Sequence, residues 1–217
     1  MDADVDKVSD ALVKLGYSHG GYLCDITPRT PLPKTPIIAP ATTVQFITTS
    51  NTTFHPSPTS TAPPVGAHFA DLIAPDHAVV ITQDKYTSNA LVGGLVVARM
   101  RELGAPLVVV DGRVRDVPEL KLPAYARGTS TIGAGAGSKI VGVGGDVVVA
   151  GGEKGEGVRV CEGDWVFADE QGVVAFPRAV LGKVIELVRG VVQADREVLR
   201  DVLCGRGLAE AFREHRG

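Results

Sequence analysis

The sequence has few of the features that identify secreted, membrane-bound or nucleic-acid-binding proteins. Its three cysteines lie far apart without a CxxC or Cys/His pair, which favours reduced thiols over a disulfide framework or a zinc site. No apolar run approaches the roughly 18 residues of a membrane helix. The 22 basic residues are scattered among 25 acidic ones, so no surface for nucleic acid is indicated. The acidic N-terminus argues against a targeting presequence. We therefore expect a cytoplasmic protein with no membrane or nucleic-acid partner.

Aromatic residues are also scarce, at 5%, whereas 26 glycines and an apolar content of 44% favour a sheet with tight turns. The length of 217 residues is compatible with one domain over residues 1–217. Apolar spacing predicts a helix from Val5 to Leu15, ended by Gly16, and Thr35 to Thr48 is typical of a strand. The Ser/Thr/Pro-rich stretch at about 49–64 is predicted to be a flexible surface loop.

The middle of the chain has the pattern of a β-α-β unit. His77 to Thr82 and Pro106 to Asp111 are short apolar runs typical of buried strands. Between them, Ala90 to Leu103 becomes helical in its periodicity once past two glycines, and Gly104 ends that helix. Strands that are apolar almost throughout, joined by a helix, indicate a parallel pair and an α/β fold.

The remainder predicts short strands followed by helices. A strand is expected at Ala124 to Ala126, and the glycine-rich segment 128–152 is interpreted as turns between short strands because it contains no P-loop motif. A series of hairpins is expected over Val158 to Pro177. A long helix should then run from Arg178 to about Val202, followed by a short one from Leu208 to His215.

Two features near the middle of the chain suggest a binding site. Gly93, Gly94, Leu95 and Val96 open the helix that follows a strand and loop. The first N–H groups of a helix have no partner within it, and the helix dipole adds positive charge there. Glycines let a ligand approach that backbone closely, so a carboxylate or phosphate could bind. Alone, the pair of glycines is a weak signal, because Gly-Gly before a helix often merely permits tight packing.

The second feature is the run Asp111 to Asp116, directly after a predicted parallel strand. Ligands of α/β sheets bind beyond the carboxyl ends of such strands, where this loop and the helix start would meet. Arg115 could hold a carboxylate through two hydrogen bonds, and Asp116, pointing to the other side of the turn, could hold a hard cation. From spacing alone, a surface Arg–Asp pair that caps the next turn is the favoured alternative.

Longer stretches resemble a known family. The runs NALVGGLVVARMRELGAPLVVVDGRVRDVPEL, PAYARGTSTIGAGA and EGDWVFADEQGVVAFPR, with the N-terminal runs VSDALVKLG and PATTVQF, are similar to the 4-hydroxy-4-methyl-2-oxoglutarate aldolase family. That family also contains the regulators of ribonuclease activity A. The resemblance covers nearly the whole chain outside the Ser/Thr/Pro-rich loop, and it is greatest to the eukaryotic, largely fungal branch.

The resemblance implies a single-domain α/β/β/α sandwich of the swivelling-domain-like type, assembled as a homotrimer or homohexamer. Arg115 matches the arginine that binds the substrate and stabilises an enolate, and Asp116 matches the direct ligand of Mg²⁺ or Mn²⁺. The amides of Leu95 and Val96 match those that hold the substrate carboxylate. The implied activity is metal-dependent cleavage of a C–C bond in a pyruvyl-containing 2-oxo acid, by retro-aldol reaction or oxaloacetate decarboxylation.

The sequence departs from the bacterial members at two positions. Gly94 stands where those aldolases have an acid that orders a metal-bound water. Arg196 aligns with the glutamate that a neighbouring subunit donates, although Asp195 and Glu197 flank it. Decarboxylation needs less from a general base than aldol cleavage, so we expect it to survive these changes better.

Two other functions fit the same resemblance. One is a related enzyme recruited to another substrate in a specialised biosynthetic pathway. The other is a non-catalytic regulatory ring that binds proteins. Retention of both Arg115 and Asp116 argues for catalysis, because a pure protein binder does not need that pair.

Overall fold

The structure, a computed structural model, describes residues 3–17, 19–149 and 157–216. The helices in these ranges are α1 (Val5–Lys14), α2 (Gly94–Glu102), α3 (Leu181–Leu203) and α4 (Leu208–His215). The strands are β1 (Thr27–Pro28), β2 (Ile37–Thr48), β3 (Ala78–Gln83), β4 (Ala90–Val92), β5 (Val108–Val114), β6 (Ala124–Thr129), β7 (Ser138–Val143), β8 (Val147–Val149), β9 (Val158–Val160), β10 (Trp165–Asp169) and β11 (Gly172–Phe176). Single 3-10 turns occur at Phe69–Leu72, Val117–Glu119, Ala134–Ala136 and Arg178–Val180.

The main sheet has a parallel centre and antiparallel edges. Strands β6, β5, β3 and β2 lie side by side in that order and run parallel. The antiparallel hairpin β10–β11 continues the sheet beyond β2, and β1 pairs antiparallel with β6. The N–H of Leu23 donates to Val173, and Tyr22 bridges Val174, so the segment before β1 returns to β11 and nearly closes the sheet.

Three apolar cores separate four layers. The first lies between α2, which contributes Met100, and one face of the parallel strands. The second lies between the two halves of the curved sheet, where Val109 of β5 and Val173 of β11 are fully buried. The third lies between the β10–β11 hairpin and the helices α1 and α3, and it contains Leu12 and Val188. The expected α/β class and its α/β/β/α layering are therefore confirmed.

The first predicted helix is confirmed with nearly the expected bounds. The carboxylate of Asp4 accepts a hydrogen bond from the N–H of Lys7, which satisfies one of the free donors at the start of α1. At the other end Gly16 has a φ of 91°, a left-handed conformation that glycine adopts without steric penalty. The closing helix at Leu208–His215 also forms as predicted.

The β-α-β prediction is confirmed in its order, because β3 and β5 pair in parallel on either side of α2 in sequence. Two details were wrong. A short strand, β4, precedes the helix, and β5 continues to Val114, so residues 111–114 are strand rather than loop. The cause is their mutual pairing: Ala90 lies opposite Arg113, and Val92 lies opposite Val114. Each segment supplies backbone partners for the other.

One other prediction needs correction, and a second gains a detail. The hairpin series holds for β10 and β11, but β9 pairs with β8 of the glycine-rich segment and not with β10. The segment at 49–64 lies on the surface, yet Thr61 exchanges two backbone hydrogen bonds with Val143 of β7, of 2.8 and 2.9 Å. Its flexibility stays a prediction. Residues 150–156, at the end of the glycine-rich segment and beyond it, lie outside the described residues.

The cysteines have no disulfide partner: Cys24 and Cys161 are half-buried and Cys204 is exposed. Burial is the main cause that raises the pKa of the Cys161 thiol to about 11, and a hydrogen bond with Asp146 adds to it. A thiol that stays protonated at neutral pH is a poor nucleophile. In residues 3–17, 19–149 and 157–216, no helix has both the length and the apolar character needed to cross a membrane.

Candidate active site

The candidate site starts at the N-terminus of α2. Gly93 precedes the helix in an extended conformation, and Gly94 is the first helical residue. The N–H of Gly94 donates to the Oδ2 atom of Asp116 over 3.1 Å. Leu95 and Val96 occupy the following positions of the first turn, whose N–H groups find no acceptor within a helix. These two amides follow the N–H of Gly94, which already binds the carboxylate of Asp116. They are suited to binding a further anionic group.

Arg115 and Asp116 are brought to this helix end by the extension of β5. The N–H of Arg115 donates to the carbonyl of Val92 over 3.1 Å, which ties the end of β5 to the end of β4. Asp116 then takes a left-handed conformation, with φ 57° and ψ 38°. Its Oδ2 lies 3.6 Å from the Nε of Arg115. The two side chains therefore lie on the same side of the turn, and the expectation that Asp116 points to the other side was wrong.

Gly93 is required by the space that these side chains occupy. A Cβ atom at position 93 would lie 2.5 Å from the Oδ2 of Asp116 and 3.0 Å from the Nε of Arg115. A Cβ at Gly133 would likewise lie 3.0 Å from the Nη1 of Arg115. The guanidinium of Arg115 thus lies against the backbone of two glycines, Gly93 and Gly133, whose lack of a side chain leaves room for it. The structure brings together all six residues named from the sequence: Gly93, Gly94, Leu95, Val96, Arg115 and Asp116.

Gly93→Ala should impair the site without unfolding the protein. Position 93 has a φ of −142°, which alanine adopts freely, and the clashing atoms belong to the movable side chains of Arg115 and Asp116. We expect the new methyl group to displace both. A shift of about 1 Å in positioned groups can reduce turnover about 100-fold. The measurement is pyruvate release from oxaloacetate, beside thermal unfolding of the same variant.

Gly190→Ala is the matched control. Gly190 lies in the middle of α3, and a Cβ there meets nothing within 4 Å. This variant should keep full turnover and gain about 0.5–1 kcal/mol in free energy of unfolding, because alanine is the better helix former. Unchanged turnover in Gly93→Ala would show that contact with Gly93 does not position Arg115 and Asp116.

Glu119 belongs to the same site and was missed in the sequence. A Cβ atom at Gly94 would lie 2.8 Å from the Oε2 of Glu119 and 3.6 Å from the Cβ of Asp116. The turn at Val117–Glu119 places this second carboxylate over the helix start, beside Asp116. The signal that could have revealed it is the spacing of three residues between the two acids, which one helical turn brings to the same side.

A pocket of about 250 Å³ opens beside Gly93 and Arg115. Its apolar lining includes Phe46 of β2 and Phe69, which contact each other edge to face at 5.3 Å between ring centroids. Its polar lining consists of Arg115 with His68, Ser138 and Lys139. Arg115 is 44% exposed and Asp116 39%, so both are accessible to a small molecule.

Asp111 lies outside this pocket, although it begins the run that the sequence singled out. It is 3% exposed, and its Oδ1 accepts from the Nε of Arg127 over 2.5 Å and from the hydroxyl of Tyr86 over 3.1 Å. Val110, the preceding residue of β5, faces the first core, so Asp111 points to the opposite face, toward the second core. Burial lowers the pKa of Arg127, and the nearby charge of Asp25 opposes that shift. Arg127 also forms an ion pair with Asp111.

The residues around Asp116 fit a magnesium-like cation. One oxygen of Asp116 accepts from Gly94, and the carboxylate of Glu119 stands beside it. Mg²⁺ and Mn²⁺ are hard cations, and Mg²⁺ is commonly held by one or two carboxylates with water completing its ligands. Within the described residues, the one group of three potential ligands is Asp201, Glu214 and His215, where Arg206 bonds to both carboxylates. That arginine opposes a cation there.

The two acids considered as substitutes for a donated glutamate both have partners within their own chain. Asp195 forms hydrogen bonds with Arg216, directly after α4, and Glu197 pairs with Arg200 one turn along α3. Either acid would have to leave its arginine in order to serve a second subunit.

Comparisons with known proteins show the family of the chain. Residues 5–175 match the family model described as RraA-like, Aldolase/RraA. The chain belongs to the RraA-like family. Among curated family relatives, an uncharacterized protein of Methanocaldococcus jannaschii is 31% identical over 138 residues, which is 62% of each chain. A putative 4-hydroxy-4-methyl-2-oxoglutarate aldolase of Halalkalibacterium halodurans is 30% identical over 128 residues, or 57% of each chain. The chain thus matches about three fifths of the length of these relatives.

Solved structures of similar fold include members of the same family. An uncharacterized protein from Pseudomonas syringae pv. tomato has a TM-score of 0.75 at 21% identity, covering 97% of this chain and 92% of its own. RraAS2 of Streptomyces coelicolor, described as an unusual member of the RNase ES inhibitor RraA family, has a TM-score of 0.69 at 25% identity, covering 89% of each. These relatives do not test the eukaryotic branch, which stays a prediction.

Proposed function

We propose that the protein is a divalent-metal-dependent lyase that cleaves a C–C bond in a pyruvyl-containing 2-oxo acid. The observation that carries the proposal is the convergence of Arg115, Asp116 and the start of α2 on Gly93, beside a pocket of small-molecule size. A guanidinium and free helix amides suit the carboxylate and carbonyl oxygens of such an acid, and neighbouring carboxylates suit a hard cation. The name of the Halalkalibacterium halodurans relative supports an aldolase-type reaction.

In the proposed mechanism, the substrate carboxylate binds the amides of Leu95 and Val96, and its 2-oxo group faces the guanidinium of Arg115. When the C3–C4 bond breaks, its electron pair moves into the pyruvyl unit and charge develops on the 2-oxo oxygen. Arg115 stabilises that oxyanion by hydrogen bonding. A cation held by Asp116, either Mg²⁺ or Mn²⁺, would supply further Lewis-acid polarisation of the same oxygen.

Glu119 is proposed to hold or move the proton that the reaction requires. Retro-aldol cleavage needs a base for the 4-hydroxyl, and both reactions need an acid that protonates C3 of the enolate. Gly94 has no side chain for this purpose, but the carboxylate of Glu119 lies over it. We therefore expect aldol cleavage to depend on Glu119 more than oxaloacetate decarboxylation does.

We further propose a cytoplasmic homotrimer or homohexamer. The site residues Arg115 and Asp116 are about 40% exposed in the single chain, and Leu95 and Ile132 expose large apolar side chains. A neighbouring copy that covered this region would exclude water from the reacting atoms. Light scattering coupled to gel filtration measures the mass directly, and a monomer at micromolar concentration would contradict the proposal.

The deciding assay follows pyruvate release. Purified protein is incubated with oxaloacetate and with 4-hydroxy-4-methyl-2-oxoglutarate, in Mg²⁺ and after EDTA. Release above the uncatalysed rate that EDTA abolishes and Mg²⁺ restores is the expected result. No release by correctly folded protein would overturn the lyase proposal and favour either a related enzyme with another substrate or a non-catalytic ring that binds proteins.

A further inference from the structure

Packing, and not hydrogen bonding, holds the guanidinium of Arg115. Within residues 3–17, 19–149 and 157–216 this group has no hydrogen bond, and its contact with Asp116 spans 3.6 Å. It lies instead between the backbones of Gly93 and Gly133, where a Cβ atom would approach its nitrogens to 3.0 Å on either side. A long, flexible side chain keeps one orientation only where its neighbours restrict it. The orientation of Arg115 therefore depends on how firmly these two backbones are held together.

The turn that carries Gly133 is fastened to the segment of β4 at both ends. At its start, the N–H of Ala90 donates to the carbonyl of Ile132 over 2.7 Å. At its end, the Nδ2 of Asn89 donates to the Oγ of Ser138 over 2.9 Å. Two consecutive residues thus hold this turn against the strand that leads to the start of α2.

The bond from Asn89 is buried and closely fitted. Asn89 is 4% exposed and Ser138 6%, so water does not readily replace either partner. A Cβ atom at Gly137 would lie 3.2 Å from the Oδ1 of Asn89. A buried polar group that loses its partner is left unsatisfied at a cost, so this bond favours a single arrangement of the turn.

We propose that Asn89 is a positioning residue that holds Arg115 through the turn at Gly133. This inference rests on the proposed function, in which Arg115 faces the 2-oxo group of the substrate. By fixing the end of the turn, Asn89 sets the width of the slot in which the guanidinium lies. Ala90 and Ser138 line the pocket beside Arg115, whereas Asn89 supports them from outside its lining. Asn89 therefore acts on the reaction through Arg115.

Asn89→Ala should reduce kcat for oxaloacetate about tenfold or more, since loss of an outer partner of a functional group typically costs about 10–100-fold. The turn should loosen rather than unfold, because the N–H of Thr49 still donates to the carbonyl of Gly137 over 2.9 Å. Calorimetry in Mg²⁺ with oxalate, a mimic of the pyruvyl end, should show a severalfold higher dissociation constant and an unchanged number of sites. The unchanged number of sites separates displacement of Arg115 from loss of folded protein.

The deciding measurement repeats the substitution in the Arg115→Ala background. There Asn89→Ala should change the affinity for oxalate less than about twofold, because no guanidinium remains to be held. Ser138→Ala removes the same hydrogen bond from its acceptor side and should reproduce the loss seen in Asn89→Ala. It also tests the inference if Asn89→Ala does not fold.

Asn51→Ala is the matched control. Asn51 is the other asparagine of the chain, and its Nδ2 donates to the Oδ2 of Asp84 over 2.5 Å. This variant loses a side-chain amide bond of the same kind, but the bond has no part in the turn at Gly133. It should keep the wild-type kcat and the wild-type affinity for oxalate.

Failure of this inference differs from failure of the proposed function. If Asn89→Ala weakens oxalate binding equally in the wild type and in Arg115→Ala, the effect does not pass through the guanidinium and the inference is wrong. Wild-type kcat in both Asn89→Ala and Ser138→Ala would overturn it as well, and the lyase proposal would stand. A wild type that binds oxalate but releases no pyruvate overturns the lyase proposal, while the affinities still decide whether Asn89 holds Arg115. If the wild type binds no oxalate, both proposals are overturned.

Discussion

Arg115→Ala should reduce pyruvate release from oxaloacetate by at least about 100-fold. Removal of a donor that stabilises a developing oxyanion costs roughly 3 kcal/mol or more in transition-state stabilisation. Arg115 is 44% exposed and its guanidinium lies against Gly93 and Gly133 rather than in a core, so the free energy of unfolding should change little. Steady-state kinetics should show the loss mainly in kcat, because the interaction strengthens as charge develops on the 2-oxo oxygen.

Arg113→Ala is the matched control for that variant. Arg113 lies two residues earlier on β5, is also exposed, and donates from its Nη1 to the carbonyl of Thr129 over 3.0 Å. It has no part in the pocket, so turnover should remain near the wild-type value. A similar loss in both variants would point to a general effect of charge or stability. Full activity in Arg115→Ala would remove the arginine from the mechanism.

Asp116→Asn should weaken Mn²⁺ binding by at least about 10–100-fold, since even the loss of an outer-shell partner has an effect of that size. The substitution keeps the shape of the side chain and an oxygen that can accept from the N–H of Gly94, so the turn at residues 115–117 should persist. What it removes is the negative charge that a hard cation prefers. Titration of Mn²⁺ followed by paramagnetic resonance measures the affinity without reference to turnover.

The control for Asp116→Asn is a change in the other group of potential metal ligands, on α3 and α4. Asp201→Asn changes the cluster of Asp201, Glu214 and His215, whose acids already bond to Arg206. It should leave Mn²⁺ affinity unchanged. If instead Asp201→Asn abolishes Mn²⁺ binding and Asp116→Asn does not, the cation belongs to the C-terminal helices and Asp116 has another role.

The backbone of the site could largely be predicted from local patterns. Apolar runs placed β3 and β5, helical periodicity placed α2, and the pair of glycines marked its start, because each signal depends on neighbours in sequence. Strand β4 and the extension of β5 were missed because they stabilise each other across about 20 residues, which no local pattern records. The left-handed backbone conformation of Asp116 likewise places its carboxylate beside Arg115. The presence of an aspartate at this position does not by itself predict that conformation.

The walls of the pocket depended on pairing that the sequence does not encode locally. Ser138 lies opposite Thr48 in the antiparallel β2–β7 pair, and this register carries residues 138–140 to the pocket. His68 follows the surface segment at 49–64, which pairs with β7 through Thr61. In the sequence, Ser138 and His68 belong to no recognisable motif, so neither could be assigned to the pocket. Glu119 was missed for a different reason: the family resemblance expects an acid at position 94, where this chain has glycine.

A crystal structure with Mn²⁺ and oxalate, a non-cleavable analogue of the pyruvyl end, tests the central claim most directly. We predict an anomalous peak about 2.1 Å from a carboxylate oxygen of Asp116. The oxalate should contact the guanidinium of Arg115 and the amides of Leu95 and Val96. A peak elsewhere, with Arg115 turned away from the start of α2, would contradict the account.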